Sequence, residues 1–255
     1  MLKVATPIIK LLRLMDGDAP AMGKIYPHMI AIQKSMETSS VLWKEKALAI
    51  HASRQVYLLS PMHLAGYALD PEFIDHEMTG EVQEALITIT ERLLLCEEMR
   101  KLVRAGEQAA ARALTDESEC VMEAVGAAMM ELASYQGKEG VLGRPFVKNH
   151  AKIMPPSKWW ATYGKGLPNL SAVACSVLAQ AVAASICERN WSIYGRIKAD
   201  NRSALKHATA DRLVYCHEAL HMREKMKNAS YKEPVVEWAD SDSDSDASDE
   251  EDYAQ

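Results

Sequence analysis

"LSAVACSVLAQAVAASIC", residues 170 to 187, is the stretch that decides the fold, because 14 of its 18 residues are apolar. A run of this length approaches what is needed to span a bilayer. However, three serines and Gln180 interrupt it, and many of its apolar residues are alanines, so insertion into a membrane is unfavourable. The stretch therefore predicts a buried helix in a soluble protein, with no membrane partner.

Helical periodicity continues on either side of this stretch. Residues 81–103 show it most clearly, since Leu86, Ile89, Leu93, Cys96 and Met99 recur at intervals of three and four. Comparable patterns predict helices over about 25–36, 41–59, 116–135, 170–198 and 202–226. No segment alternates between apolar and polar residues with a period of two, which a half-buried strand would show. The sequence predicts an all-α protein.

Glycine and proline divide the chain into regions. Residues 136–169 contain nine of them and predict a break between helical segments. Within this stretch, Trp159 and Trp160 are adjacent in "PSKWWATYG", and two indoles of this size are expected to be buried against a neighbour. We predict a helical region over 1–135, a connection over 136–157, a second helical region over 158–228 and a tail over 236–255.

The acidic residues are concentrated in that tail. The formal charge of −6 becomes +2 once the eight carboxylates of residues 240–252 are set aside, so no strongly basic surface for DNA is predicted. "DSDSDSDASDEED" (240–252) has low complexity and predicts disorder. Three serines there have an acidic residue three positions later and are candidates for an acid-directed kinase: Ser241, Ser243 and Ser248. A tail that only confers solubility is the alternative.

The bulk of the sequence excludes several classes of function. Five scattered cysteines without close pairs do not form a disulfide framework and indicate a reducing compartment. No Gly-rich phosphate loop and no G-x-S-x-G element is present, so neither a cofactor nor a small-molecule substrate is predicted.

One short motif raises the possibility of a metal site. His217, Glu218 and His221 form "HEALH", which matches the H-E-x-x-H pattern of zinc hydrolases. In such enzymes the two histidines bind zinc, the glutamate acts as general base and a third ligand comes from elsewhere in the chain. No histidine follows His221. We therefore predict histidines on a helix surface and no metal, and keep a zinc hydrolase as an alternative.

The C-terminal half carries several motifs in a fixed order: a Trp-Tyr element near 160–163, Pro168 and Leu170 before the apolar helix, and "CERNWS" (187–192). Arg-x-x-Leu (202–205) and Leu-Val-Tyr (213–215) follow. In this combination the C-terminal half resembles the C-terminal dimerisation region of hAT-superfamily DNA transposases. Upstream, "LLRLMDGDAPAMGKIY" (11–26) and "SPMHLAGYALDPEF" (60–73) resemble segments of plant-type hAT elements.

This resemblance implies a fold and a chemistry. Family members have a ribonuclease-H-like core with a large helical insertion, and three acidic residues bind divalent metal for strand transfer. Glu188 matches the third acid. By this resemblance, we expect the chain to begin after the segments that carry the first two aspartates, with Asp16 and Asp18 matching a later segment. We therefore expect a helical fragment without the sheet, and a Glu188 that is inactive here. The C-terminal part of an active, metal-dependent transposase is the alternative.

The resemblance also implies self-association. The expected function is that of a transposase-derived, nuclear protein that forms a homodimer or pairs with a related transposase chain, and that meets DNA only in the context of a fuller protein. Arg189 is expected to pair with a carboxylate or to hold a helix end. The residues expected to serve dimerisation or packing are Trp159, Trp160, Leu170, Val173, Leu178, Val182, Ile186, Arg189, Trp191, Leu213, Val214 and Leu220.

Overall fold

The computed structural model describes residues 2–17, 19–182, 184–198 and 205–227, and all regular structure within them is helical. The predicted all-α class is confirmed for these residues, which contain no strand. The helices are α1 (Leu2–Asp16), α2 (Ile25–Glu37), α3 (Lys44–Leu58), α4 (Pro61–Leu69), α5 (Gly80–Arg104), α6 (Gln108–Ala113), α7 (Glu119–Gln136), α8 (Pro145–Ile153), α9 (Pro156–Tyr163), α10 (Pro168–Leu178), α11 (Ser185–Ile197) and α12 (His207–Lys227).

The stretch 136–169, predicted as a break, contains two complete helices. Its prolines begin helices rather than interrupt them: Pro145, Pro156 and Pro168 open α8, α9 and α10. At the first position of a helix the missing N–H of proline is not needed, and its fixed φ suits the helical conformation. The expectation of a break is therefore wrong for residues 145–153 and 156–163.

The main core lies between α4, α5 and the helices from α7 to α10. Trp159 and Trp160 are both buried in it, with ring centroids 5.6 Å apart in an edge-to-face arrangement. The indole Nε1–H of Trp159 donates to the Val147 carbonyl at 2.9 Å, and that of Trp160 donates to the Leu69 carbonyl at 2.7 Å. Burying both rings while satisfying both N–H groups joins α9 to α4 and α8.

A second core forms between α1, α2 and α3, where Ile25, Met29, Ile32 and Met36 of α2 are buried. It meets the main core at a buried charge cluster: Lys24 Nζ lies 3.0 Å from Asp70 Oδ2 and also contacts the Glu72 carboxylate. Burial raises the pKa of Asp70, and the Lys24 ammonium partly opposes this rise. Buried charges of this kind are tolerated because they are paired.

The apolar stretch 170–187 forms one buried helix and the beginning of another, whereas a single helix over 170–198 was predicted. No helix is described between Leu178 and Ser185. Because alanine, the best helix former, dominates this interval, local propensity does not explain the interruption. Tertiary packing does: Val182 contacts both hydrophobic cores, which fixes the connection between them. Among the described residues, no helix has the length and apolarity required to cross a membrane.

Candidate association surface

The two last helices, α11 and α12, form a hairpin that lies outside both cores. The hydroxyl of Tyr194, near the end of α11, lies 2.9 Å from Nδ1 of His207, the first residue of α12. Lys198 Nζ approaches the same imidazole at 2.8 Å. Since the helices also pack side by side, α12 runs back along α11. Helix α11 also contacts α1.

The face that α12 turns toward α11 is narrow. Ala210 is fully buried, and Val214 and Glu218 are partly buried. These residues are four apart and therefore lie in one row along the helix. One small, one medium and one charged side chain bury little apolar area. Among its described side chains, the hairpin has no core of its own.

The other faces of the hairpin expose large apolar side chains, six of which are at least 44% exposed: Trp191, Leu213, Tyr215, Leu220, Met222 and Met226. Leu213 and Leu220 are seven residues apart and share one side of α12. Tyr215 and Met222 are likewise seven apart and share another side with Met226. Residues two apart in a helix point to nearly opposite sides, so Leu213 with Leu220 and Tyr215 with Met222 form two separate exposed rows on α12. Single exposed apolar residues are ordinary, but rows of them along one helix indicate an interaction surface. We call these six residues the hairpin surface.

The residues selected from the sequence fall into three groups in the structure. Inside the main core lie Trp159, Trp160, Leu170, Val173 and Leu178. Val182 and Val214 are partly buried, and Trp191, Leu213 and Leu220 are exposed on the hairpin surface. Ile186 and Arg189 belong to α11, but their side chains lie outside the described part of the structure.

Three members of the hairpin surface were not selected from the sequence: Tyr215, Met222 and Met226. The seven-residue spacing of Tyr215 and Met222, with Met226 four positions on, is the signal that identifies them. This spacing is easily missed, because the charged residues of "HMREKMK" (221–227) suggest a helix whose whole surface faces solvent.

Within the main core, the beginning of α10 is held by a carboxylate of α7. Glu131 Oε2 accepts a hydrogen bond from the backbone N–H of Leu170 at 2.7 Å, and Oε1 accepts one from the Asn169 amide at 2.9 Å. The first N–H groups of a helix have no partner within it, and a carboxylate there is favourable. Glu131 thus fixes the N-terminal end of α10, whereas the hairpin follows the C-terminal end of that helix.

The matched catalytic acid, Glu188, lies in the first turn of α11 and is exposed. Among the described residues, no group of three His, Cys, Asp or Glu side chains converges closely enough to hold a metal ion. A single carboxylate cannot form the two-metal arrangement that strand transfer needs. Among the described residues, Glu188 therefore belongs to no such metal-binding group.

The histidines of "HEALH" lie on the exposed part of α12. Nδ1 of His217 is 3.4 Å from Glu218 Oε1, and both side chains are substantially exposed. The described residues supply no third ligand beside this pair. The proposed kinase sites Ser241, Ser243 and Ser248, together with the acidic tail and Asp18, lie outside the described residues.

Comparison with known protein families identifies one region. Residues 131–220 match the model of the hAT family C-terminal dimerisation region, which confirms the resemblance for this part of the chain. The match begins at Glu131, whose carboxylate holds α10, and ends at Leu220 on the hairpin surface. No curated protein and no solved structure matches the chain.

Proposed function

We propose, from the hAT C-terminal dimerisation region that residues 131–220 form, that this protein acts by self-association through the hairpin surface. Its partner is a second copy of the same chain or a related transposase chain. We assign the surface to α11 and α12 and not to α10 because the leucines and valines of α10 are already buried within one chain.

One observation carries this proposal: among the described side chains of the hairpin, six large apolar ones are exposed and Ala210 alone is fully buried. Burial of a Leu, Met or Trp side chain contributes roughly 1.5–3 kcal/mol, and this contribution is unrealised in the isolated chain. A second hairpin offers a surface of the same kind. A two-fold arrangement would pair the surface with itself, as most homodimers do.

We further propose that the chain has no strand-transfer activity of its own. Glu188 matches the third of the family's three catalytic acids, and the described residues contain no group of three His, Cys, Asp or Glu side chains that could hold a metal ion. The protein would then act as a transposase-derived association module, in the nucleus, and would meet DNA through a fuller partner. The serines of the acidic tail would add negative charge when phosphorylated.

Sedimentation velocity of the full chain over a wide concentration range tests the proposal. We expect the wild-type chain to shift from monomer to dimer as concentration rises, and the double variant Leu213→Asp/Leu220→Asp to remain monomeric. The matched control is Met122→Asp, which places the same charge at a 55% exposed position of α7, outside the matched region. Circular dichroism checks that each variant remains helical.

Two results would overturn the assignment. A wild-type chain that stays monomeric at several hundred micromolar, both alone and with a related transposase chain, would remove self-association. A double variant that dimerises like wild type would move the interface away from the hairpin surface.

A further inference from the structure

The connection between α10 and α11 interrupts a stretch of chain that has no helix-breaking residue. Leu178 ends α10 and Ser185 begins α11, and "AQAVAA" (179–184) between them contains neither glycine nor proline. Four of these six residues are alanine, which has the highest helix propensity. The residues that flank the two helices, Ala179 and Ala184, both have φ and ψ in the right-handed helical region. Local preference therefore favours one continuous helix here.

The interruption leaves helical hydrogen bonds unmade. The chain bends at Gln180 and Val182, and the N–H groups of Ala181 and Val182 donate to no backbone carbonyl of the described residues. In a continuous helix these two groups would donate to the carbonyls of Val177 and Leu178, four positions earlier. The bent connection lacks these hydrogen bonds, so a contact elsewhere must stabilise it.

Val182 supplies such a contact. Its side chain is partly buried and packs against both hydrophobic cores. Tertiary packing of this kind overrides local helix propensity, and a β-branched residue is a weaker helix former than the alanines around it. The bend therefore depends on the burial of Val182, and removal of this contact would favour the straight connection.

The hairpin that follows has few contacts with the rest of the chain. Among the principal contacts, α11 packs on α12 and on α1, and α12 packs on α11. All the buried residues of both cores that the structure describes precede α11. The hairpin can thus move as a unit without opening either core. Its contact with α1 can equally be made with the α1 of a second copy, since both copies have the same surfaces.

We propose that in the dimer α10 and α11 form one continuous helix, and that each copy places its hairpin against α1 of the other. This inference rests on the association proposed above and specifies what the two copies exchange. Once the bends at Gln180 and Val182 are removed, α11 continues along α10 and leaves its own α1, because α10 packs principally on α4, α7 and α9. Such an exchange is a low-cost route to a dimer, since a contact formed within one chain is reused between two.

Protein concentration determines which form is populated. In a single chain, a straight connection would remove the contact between α11 and α1 and the packing of Val182. In the dimer, the second copy restores the contact with α1 and adds the pairing of the hairpin surfaces. A short connection held against its own helical preference is the kind that favours exchange of an element between copies.

Hydrogen exchange of the full chain, measured below and above the dissociation constant of the dimer, tests this proposal. We expect the amides of Ala181 and Val182 to exchange at least about tenfold more slowly in the dimer, because a continuous helix gives them acceptors. The variant Leu213→Asp/Leu220→Asp is the control and should show no such change with concentration. Equal exchange of these amides in monomer and dimer would overturn the proposal.

Two changes in the connection should alter the dissociation constant in opposite directions. Ala179→Gly/Ala181→Gly places two glycines in each continuous helix, so the dissociation constant should rise roughly 100- to 1000-fold. Val182→Ala removes the side chain that holds the bend and adds a better helix former, so the constant should fall about tenfold. The matched control is Ala109→Gly/Ala127→Gly, at exposed alanines of α6 and α7 outside the matched region, which should leave it unchanged.

These measurements separate the exchange of hairpins from association itself. A dimer whose dissociation constant responds to neither change in the connection would overturn the exchange and leave association through the hairpin surface in place. A rise for both variants would also overturn the exchange, since loss of folded structure alone produces that result. A chain that stays monomeric at several hundred micromolar would overturn the exchange, and failure to pair with a related transposase chain as well would overturn the association.

Discussion

Replacing Leu220 by Ala tests the hairpin surface quantitatively. The Leu220 side chain is 62% exposed in the single chain. Fully burying a leucine contributes roughly 1.5–3 kcal/mol, so covering this exposed fraction would contribute about 1–2 kcal/mol. In a two-fold dimer each substitution occurs twice in one interface, which gives about 2–4 kcal/mol. At 1.4 kcal/mol per factor of ten, we expect the dissociation constant of the dimer to rise on the order of 100-fold.

The dissociation constant is measured by sedimentation equilibrium, with the free energy of unfolding followed separately by urea titration. Because Leu220 buries little area within the single chain, unfolding should change by less than about 0.5 kcal/mol. Met122→Ala, at a 55% exposed position of α7, is the control and should leave both quantities unchanged. A change of less than about threefold in the dissociation constant for Leu220→Ala would refute the interface, since that corresponds to under about 0.7 kcal/mol.

Three further predictions concern charge. Lys24→Met should destabilise the fold by about 3–5 kcal/mol, because it leaves buried carboxylates uncompensated, and adding Asp70→Asn should restore part of this loss in urea unfolding. The pKa of His28 is lowered from 6.5 to about 4, by burial first and then by Lys10 and Lys24. Between these two values the unfolded chain binds more protons than the folded chain, so the free energy of unfolding should fall as pH drops from 6.5 toward 4. The variant His28→Gln should flatten this pH dependence. Glu188→Gln should change neither stability nor sedimentation, since its carboxylate is exposed.

The helices could be predicted from the sequence because periodicity and helix formers agree along most of the chain. The clearest case is α5, where the stripe over 81–103 corresponds to a helix over Gly80–Arg104. The prolines of 145–168 were harder to interpret, since proline both ends helices and begins them. Which role applies depends on whether the residues after it have a core to pack against, and Val147 and Trp160 do.

The candidate site could be predicted only in part, for a related reason. Leu170, Val173 and Leu178 are as apolar as Leu213 and Leu220, yet the first three are buried within one chain and the last two are exposed. The amino-acid composition of a helix does not tell a face buried within one chain from a face exposed for a partner, because both are apolar. The difference arises from neighbours distant in sequence: α7, α9 and α4 cover α10, whereas α12 has only α11 beside it among its principal contacts.

The position of the hairpin relative to the core depends on one short connection. Val182 packs against both hydrophobic cores, and α11 begins three residues later. Val182 is therefore one of the contacts between the α1–α3 cluster and the main core, and it directly precedes the hairpin, which also contacts α1 through α11. Because α11 and α12 bury little against each other, this anchor and the contact with α1 determine how the hairpin surface is presented. An association region built in this way can expose apolar side chains without destabilising the fold, since all the buried residues of both cores that the structure describes precede α11.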